Sequence, residues 1–137
     1  MQRDFTCLLI DDDLDDQEQF VLAMESLSHN IRCVMASDGE QGIRWLKEHR
    51  ETLPDIIFLD LNMPRMTGKE CLRAIRQLPH LSSVPVIIFS TSSEQRDMQE
   101  TQQMGAAGYL VKYTSMNALV TALKKVIEEQ GVLRIPE

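Results

Sequence analysis

The sequence predicts an α/β protein: a doubly wound, five-stranded parallel sheet with helices on both faces. Five short apolar runs punctuate the chain, at Phe5–Ile10, Ile31–Ala36, Ile56–Leu59, residues 86–89 and Gly108–Val111. Two of them, Ile-Ile-Phe-Leu and Val-Ile-Ile-Phe, show no polar alternation, which marks strands buried on both faces. Segments with helical spacing lie between and after the runs, and strict strand–helix alternation builds a parallel sheet through right-handed crossovers.

The helices are read from apolar positions three and four residues apart. Phe20, Met24 and Leu27 form the first stripe, Ile43 and Leu46 the second, and Leu72, Ile75 and Leu78 the third. The stretch 94–104 is almost wholly polar and is expected to be the loosest helix. Leu119, Leu123, Val126 and Ile127 make the last stripe. Ser37 with Glu40, Thr67 with Glu70, and Ser92 with Gln95 have capping-box spacing; Gly131 is the expected stop of the last helix. No linker or repeat interrupts the alternation, so one domain is expected over residues 1–130, followed by a short tail over 131–137.

Lys and Arg number 14 against 21 Asp and Glu, a net charge of −7 in 137 residues. This balance, with no basic stripe, argues against a nucleic-acid surface. The apolar run near the start is too short for a signal peptide or a membrane span. Cys7, Cys33 and Cys71 are far apart in sequence and in no metal-binding or disulfide spacing. They read as small buried residues kept reduced in a cytoplasmic protein.

In such a sheet ligands bind beyond the carboxyl ends of the strands. Strand one ends in Asp11, Asp12 and Asp13, strand three in Asp60 and then Asn62, strand four in Ser90 and Thr91, and strand five in Lys112. Residues 11–18 hold six acids. Like charges a few ångströms apart repel by about 4 kcal/mol per pair at intermediate dielectric, and a divalent cation relieves that. The donors are all oxygen, including a main-chain carbonyl near Asn62, so magnesium or manganese fits best. Asp60 would then be a phosphate acceptor. Lys112 would neutralise the transferring group, and Ser90 would donate a hydrogen bond to a phosphoryl oxygen. Asp13 reads as the cap of the first helix. A calcium loop fails, because its Gly and its closing Glu positions hold Asp16 and Leu22.

Asp11-Asp12, then Asp60-Leu61-Asn62-Met63-Pro64, then Ser90-Thr91, then Gly108-Tyr109-Leu110-Val111-Lys112 occur in that order. The chain resembles a response-regulator receiver domain of the chemotaxis-receiver kind over nearly its whole length. The resemblance implies a flavodoxin-like (βα)5 fold with strand order 2-1-3-4-5. It implies that Asp60 accepts a phosphoryl group from a phosphohistidine of a histidine kinase or histidine phosphotransfer protein. It makes Asp12, Asp60 and the main-chain carbonyl of Asn62 the Mg2+ ligands, with Asp11 acting through a bound water. It also implies that Ser90 and Lys112 hold the phosphoryl group, and that Tyr109 is an aromatic switch whose ring moves as Ser90 turns inward. Asn62 and Ser92 fall where the family modulates hydrolysis of the acyl phosphate. One departure is Tyr113 after Lys112, where receivers carry a proline, often cis. A cis non-proline bond costs about 2.5–4 kcal/mol, so a trans bond is expected there.

The expected function is a stand-alone receiver in a two-component phosphorelay, a phosphoprotein that signals through a changed protein-binding surface. It would be no turnover enzyme and would need neither nucleic acid nor membrane. An unphosphorylated adaptor of the same fold is the first alternative. A magnesium-dependent phosphatase of haloacid-dehalogenase type is the second, with its nucleophile at Asp11.

Overall fold

The computed structural model describes residues 5–28, 30–112 and 115–131. The expected tail beyond Gly131 and the Lys112–Tyr113 bond lie outside the described residues. Strands β1 (Phe5–Ile10), β2 (Ile31–Ala36), β3 (Ile56–Leu59), β4 (Val86–Ser90) and β5 (Gly108–Val111) alternate with helices α1 (Leu14–Leu27), α2 (Gly39–Glu48), α3 (Gly68–Arg76), α4 (Gln95–Gln103) and α5 (Met116–Glu129). One parallel sheet runs in the order β2-β1-β3-β4-β5, as the resemblance implies.

Alternation along each strand sends neighbouring side chains to opposite faces. Leu9 and Phe58 join Phe20 and Met24 of α1 and Leu119 and Leu123 of α5 in one core. Leu8, Ile10, Ile57 and Leu59 join Leu46 of α2 and Leu72 and Ile75 of α3 in the other. The unbroken apolar runs are thereby explained, since β3 and β4 are buried at every position. Phe20 packs edge-on to Phe58, with ring centroids 5.1 Å apart, which anchors α1 over the centre of the sheet.

Helix starts follow local chemistry. The Asp13 side chain accepts from the Asp16 N–H, and Thr67 and Glu70 form a full capping box. Two expected caps are corrected. Asp38, not Ser37, caps α2, because it directly precedes the first helical residue and its carboxylate accepts from the Gln41 N–H at 2.8 Å. Glu94 sits at the α4 N-cap without a side-chain bond, while the Ser92 hydroxyl is drawn to Asp97 at 2.6 Å. Leu78 lies past the end of α3, at the entry to a short 3-10 turn, Pro79–Leu81, that the sequence reading did not contain. Gly131 takes φ +68° just beyond α5, the left-handed stop that glycine permits.

Gly68 opens α3 with its N–H donating to the Leu61 carbonyl at 2.8 Å. A methyl group here would overlap the Asp60 carbonyl oxygen and crowd the Leu61 Cα, both of them backbone. Gly68→Ala is therefore expected to lower stability by about 1–3 kcal/mol, measured as the urea midpoint at unchanged slope. An unaltered midpoint would show that this close approach is not a constraint.

Candidate functional site

The candidate site is assembled by the hydrogen-bond ladder of the sheet, continued one residue past each strand. The Asp11 N–H donates to the Ala36 carbonyl of β2 at 3.0 Å. The Asp60 N–H donates to the Ile10 carbonyl of β1 at 2.9 Å, and the Lys112 N–H to the Ser90 carbonyl of β4 at 2.8 Å. Each polar residue is the first beyond an apolar strand, so its backbone is fixed by the sheet while its side chain emerges on the rim. Asp11 and Asp60 lie at the junction of β1 and β3, where the strand order reverses.

Asp11, Asp12 and Asp60 each offer a carboxylate oxygen, and the three lie within 4.8 Å of one another. Asp11 and Asp60 are buried, and Asp12 is open to solvent. Among the described residues this is the one cluster of its kind, and it contains no His or Cys. The Lys112 ammonium is 2.8 Å from Asp11 Oδ2, 2.7 Å from Asp16 Oδ2 and 3.7 Å from Asp60 Oδ2, with its side chain only 10% exposed. It also lies 5.6 Å from the centroid of the Phe89 ring, within cation–π range. Asp11 is fixed from two further directions. Its Oδ1 accepts from the Asp13 N–H at 3.0 Å, and its carbonyl accepts from Gln17 Nε2 at 2.6 Å.

Burial pushes the Asp60 carboxyl up to about 6, with Asp11 and Asp12 adding repulsion and Lys112 and the Asn62 N–H opposing. Burial also raises Asp11. Burial alone would pull Lys112 down, but its bonds to Asp11 and Asp16 and the charge of Asp60 hold it above the ordinary lysine range. The ammonium is therefore a fixed positive charge, and the two buried carboxylates compete for it.

Ser90 is fully buried, and its hydroxyl accepts from the Ser92 N–H at 3.2 Å. Tyr109 is half-buried, and its hydroxyl donates to the Ser92 carbonyl at 2.8 Å. Asn62 follows Asp60 in the β3–α3 loop. In that loop Arg65 adopts φ +68° and pairs with Asp38 at 3.0 Å. Sequence reasoning gathered Asp11, Asp12, Asp60, Ser90 and Lys112 at one rim, and the geometry brings them together. It missed Asp16 as a partner of Lys112, because nothing distinguished one acid among six in residues 11–18. It also missed Lys69, which bonds Asp97 at 2.8 Å and Glu100 at 2.7 Å and so ties α3 to α4.

The fold and rim define a flavodoxin-like α/β protein with an acidic, oxygen-lined site at its topological switch point. The family model described as "Response regulator receiver domain" matches residues 7–124, and the chain belongs to that family. Members are receivers of two-component signalling, phosphorylated on an aspartate and binding a divalent metal. The chain is 38% identical over 134 residues to the nitrate/nitrite response regulator protein NarL of Escherichia coli, covering 96% of this chain but 59% of NarL. It thus spans under two thirds of that relative's length. The phosphorylated cyanobacterial phytochrome response regulator RcpA superposes with a TM-score of 0.83 at 25% identity, covering 96% of this chain and 98% of that one. The Borrelia burgdorferi CheX–CheY–BeF3–Mg2+ complex matches at a TM-score of 0.76 and 26% identity, covering 90% and 89%. Among the described residues no helix is long and apolar enough to cross a membrane.

The raised Asp60 value carries a testable sign. An unfolded aspartate ionises near 3.9, whereas the folded carboxyl stays protonated to about 6. Between those values the folded state holds the extra proton, so this group's contribution falls as pH rises and stays lost above about 6. In EDTA, Asp60→Asn is expected to match the wild type near pH 4 and to be more stable at pH 7, by at most about 3 kcal/mol. Urea titrations at the two pH values check this. A wild type that is the more stable at pH 7 would contradict it.

Proposed function

We propose that the chain is a receiver that takes a phosphoryl group on Asp60 and signals through a changed protein-binding surface. The observation that carries this reading is the trio Asp11, Asp12 and Asp60, with oxygens within 4.8 Å, beside the nearly buried ammonium of Lys112. Three carboxylates with no nitrogen or sulfur donor suit a hard dication. Asp12, Asp60 and the Asn62 carbonyl would hold Mg2+ or Mn2+ directly, with Asp11 acting through water. When bound, the ion supplies positive charge that offsets the phosphoryl oxygens. RcpA in its phosphorylated form, and CheY with Mg2+ and BeF3, a phosphoryl mimic, support the same assignment here.

The donor is a phosphohistidine of a histidine kinase or histidine phosphotransfer protein. A carboxylate oxygen of Asp60 attacks phosphorus, the P–N bond breaks, and the released imidazole keeps the electron pair and takes a proton. The elevated Asp60 value works against the ionised nucleophile, and Lys112 favours it. Lys112 would exchange a carboxylate partner for a phosphoryl oxygen, a small movement from 3.7 Å. Ser90 would give up its acceptor role toward Ser92 and donate to another phosphoryl oxygen. Tyr109, bonded to the Ser92 carbonyl, would follow that loop. An added charge of about −1.5 to −2 is ample to bias such a two-state loop. The chain would act in the cytoplasm, as a phosphoacceptor and not as a turnover enzyme.

Intact-mass analysis after phosphoramidate and Mg2+ treatment tests the reading. One labile phosphoryl group is expected on the wild type and none on Asp60→Asn. Continuous turnover of p-nitrophenyl phosphate with the nucleophile at Asp11, or an unmodified wild type, would overturn it.

A further inference from the structure

The three cysteines do not have equivalent surroundings. Cys7 of β1 and Cys33 of β2 are a registered pair on adjacent parallel strands, and their sulfurs lie 3.4 Å apart, with the Cys7 thiol donating. Both belong to the core under α1 and α5, so both side chains leave the sheet on one face. Adjacent strands run about 4.8 Å apart, within the Cα separation that a disulfide spans. A bond needs the sulfurs to close by on the order of 1 Å, which side-chain rotation can share. Cys7 is fully buried, but Cys33 is half-buried on the edge strand β2 and open to a small oxidant. The Cys7 thiol donates to the Cys33 sulfur and holds Cys33 below the ordinary thiol value; that bond and burial raise Cys7. Cys71 is the internal contrast, since it is buried in the other core and pushed up to about 12 by that burial.

We propose that Cys7 and Cys33 are a reversible dithiol–disulfide site, oxidised by a hydroperoxide and reduced by a small thiol. The Cys33 sulfur attacks a peroxide oxygen and the O–O bond breaks. For hydrogen peroxide this yields a Cys33 sulfenic acid and one water. The Cys7 sulfur then attacks the Cys33 sulfur, the S–O bond breaks, and the departing hydroxide takes the Cys7 proton as a second water. Two thiols lose two electrons and two protons, and the peroxide gains both. The sequence step from sulfenic acid to disulfide outruns further oxidation because the second sulfur is already in contact. A partly exposed link between strands is of the labile kind, so exchange with a thiol reverses it. The product would close residues 7–33, with α1 and the rim acids Asp11, Asp12 and Asp16, into one covalent loop. This site is independent of the phosphoacceptor reading.

The test uses the full chain, reduced and then treated with hydrogen peroxide under native conditions, followed by blocking of free thiols and trypsin. Cleavage after Arg32 puts Cys7 and Cys33 on different peptides. The expected result is one disulfide-linked peptide pair carrying Cys7 and Cys33, with Cys71 alkylated. Dithiothreitol should abolish the pair. It should persist in Cys71→Ser and be absent in Cys33→Ser and Cys33→Ala. Three outcomes would overturn the proposal: sulfinic or sulfonic acid on Cys33 with Cys7 still alkylatable, a cross-link between chains through Cys33, or all three thiols unmodified.

Discussion

The site depends on two buried carboxylates, Asp11 and Asp60, that share one ammonium. Burying ionised groups costs several kcal/mol each unless they are paired. Lys112 pairs with Asp11 at 2.8 Å and remains 3.7 Å from Asp60, so the compensation is unequal. Asp11, whose Oδ1 also accepts from the Asp13 N–H, has the closer positive charge of the two. Asp60 is left with the larger unmet demand for positive charge, which is where a dication and then a phosphoryl group would add most. The strain is local and is carried by the two cores, whose burial is nearly complete on both sides of β3.

The sheet converts that electrostatic demand into geometry. β1 and β3 are adjacent although they are not consecutive, and this crossover alone brings Asp11 beside Asp60. A one-residue slip in either strand would turn the acid into a core face and an apolar residue into the rim. Such a slip would also exchange Ile56 and Phe58 with Ile57 and Leu59 between two cores that are each packed around their own set. Gly68 adds a constraint from the far side of the loop, with α3 beginning in contact with the Asp60 backbone. Asp60 is therefore held by its own strand, by β1 and by α3.

The legible part of the sequence was the part governed by short-range rules. Short apolar runs gave all five strands, with β4 extended by one residue to Ser90. The strand ends gave Asp11, Asp60, Ser90 and Lys112. Caps were legible in part: Thr67 held, Ser37 yielded to Asp38, whose carboxylate accepts from the same turn, and Ser92 yielded to Glu94 two residues on. Contacts between side chains distant in sequence were not legible. Asp16 meets Lys112 across 96 residues, and Cys7 meets Cys33 only because the strands register as they do. Neither carries a local signal, because the choice among six acids, or among three thiols, is made by topology.

The polar helix α4 shows how the same rules leave one element differently attached. Thr101 is its one fully buried side chain, and its hydroxyl bonds back to the carbonyl of Asp97 within the helix. What binds α4 to its neighbours is largely charge: Lys69 of α3 on Asp97 and Glu100, and Asp97 in turn on the Ser92 hydroxyl. Such half-exposed pairs contribute little each, at most about 1 kcal/mol, and can be exchanged without emptying a core. Ser92 lies at the centre of this set. Its N–H meets Ser90, its carbonyl meets Tyr109 and its hydroxyl meets Asp97. A movement of Ser90 toward Asp60 thus acts on a loop whose other bonds are few, polar and replaceable, whereas the same displacement on the α1 side would have to break the packing of Phe20 on Phe58. The lighter apolar attachment of this side is set by composition, since Met98 and Met104 are the only large apolar residues from 94 to 104.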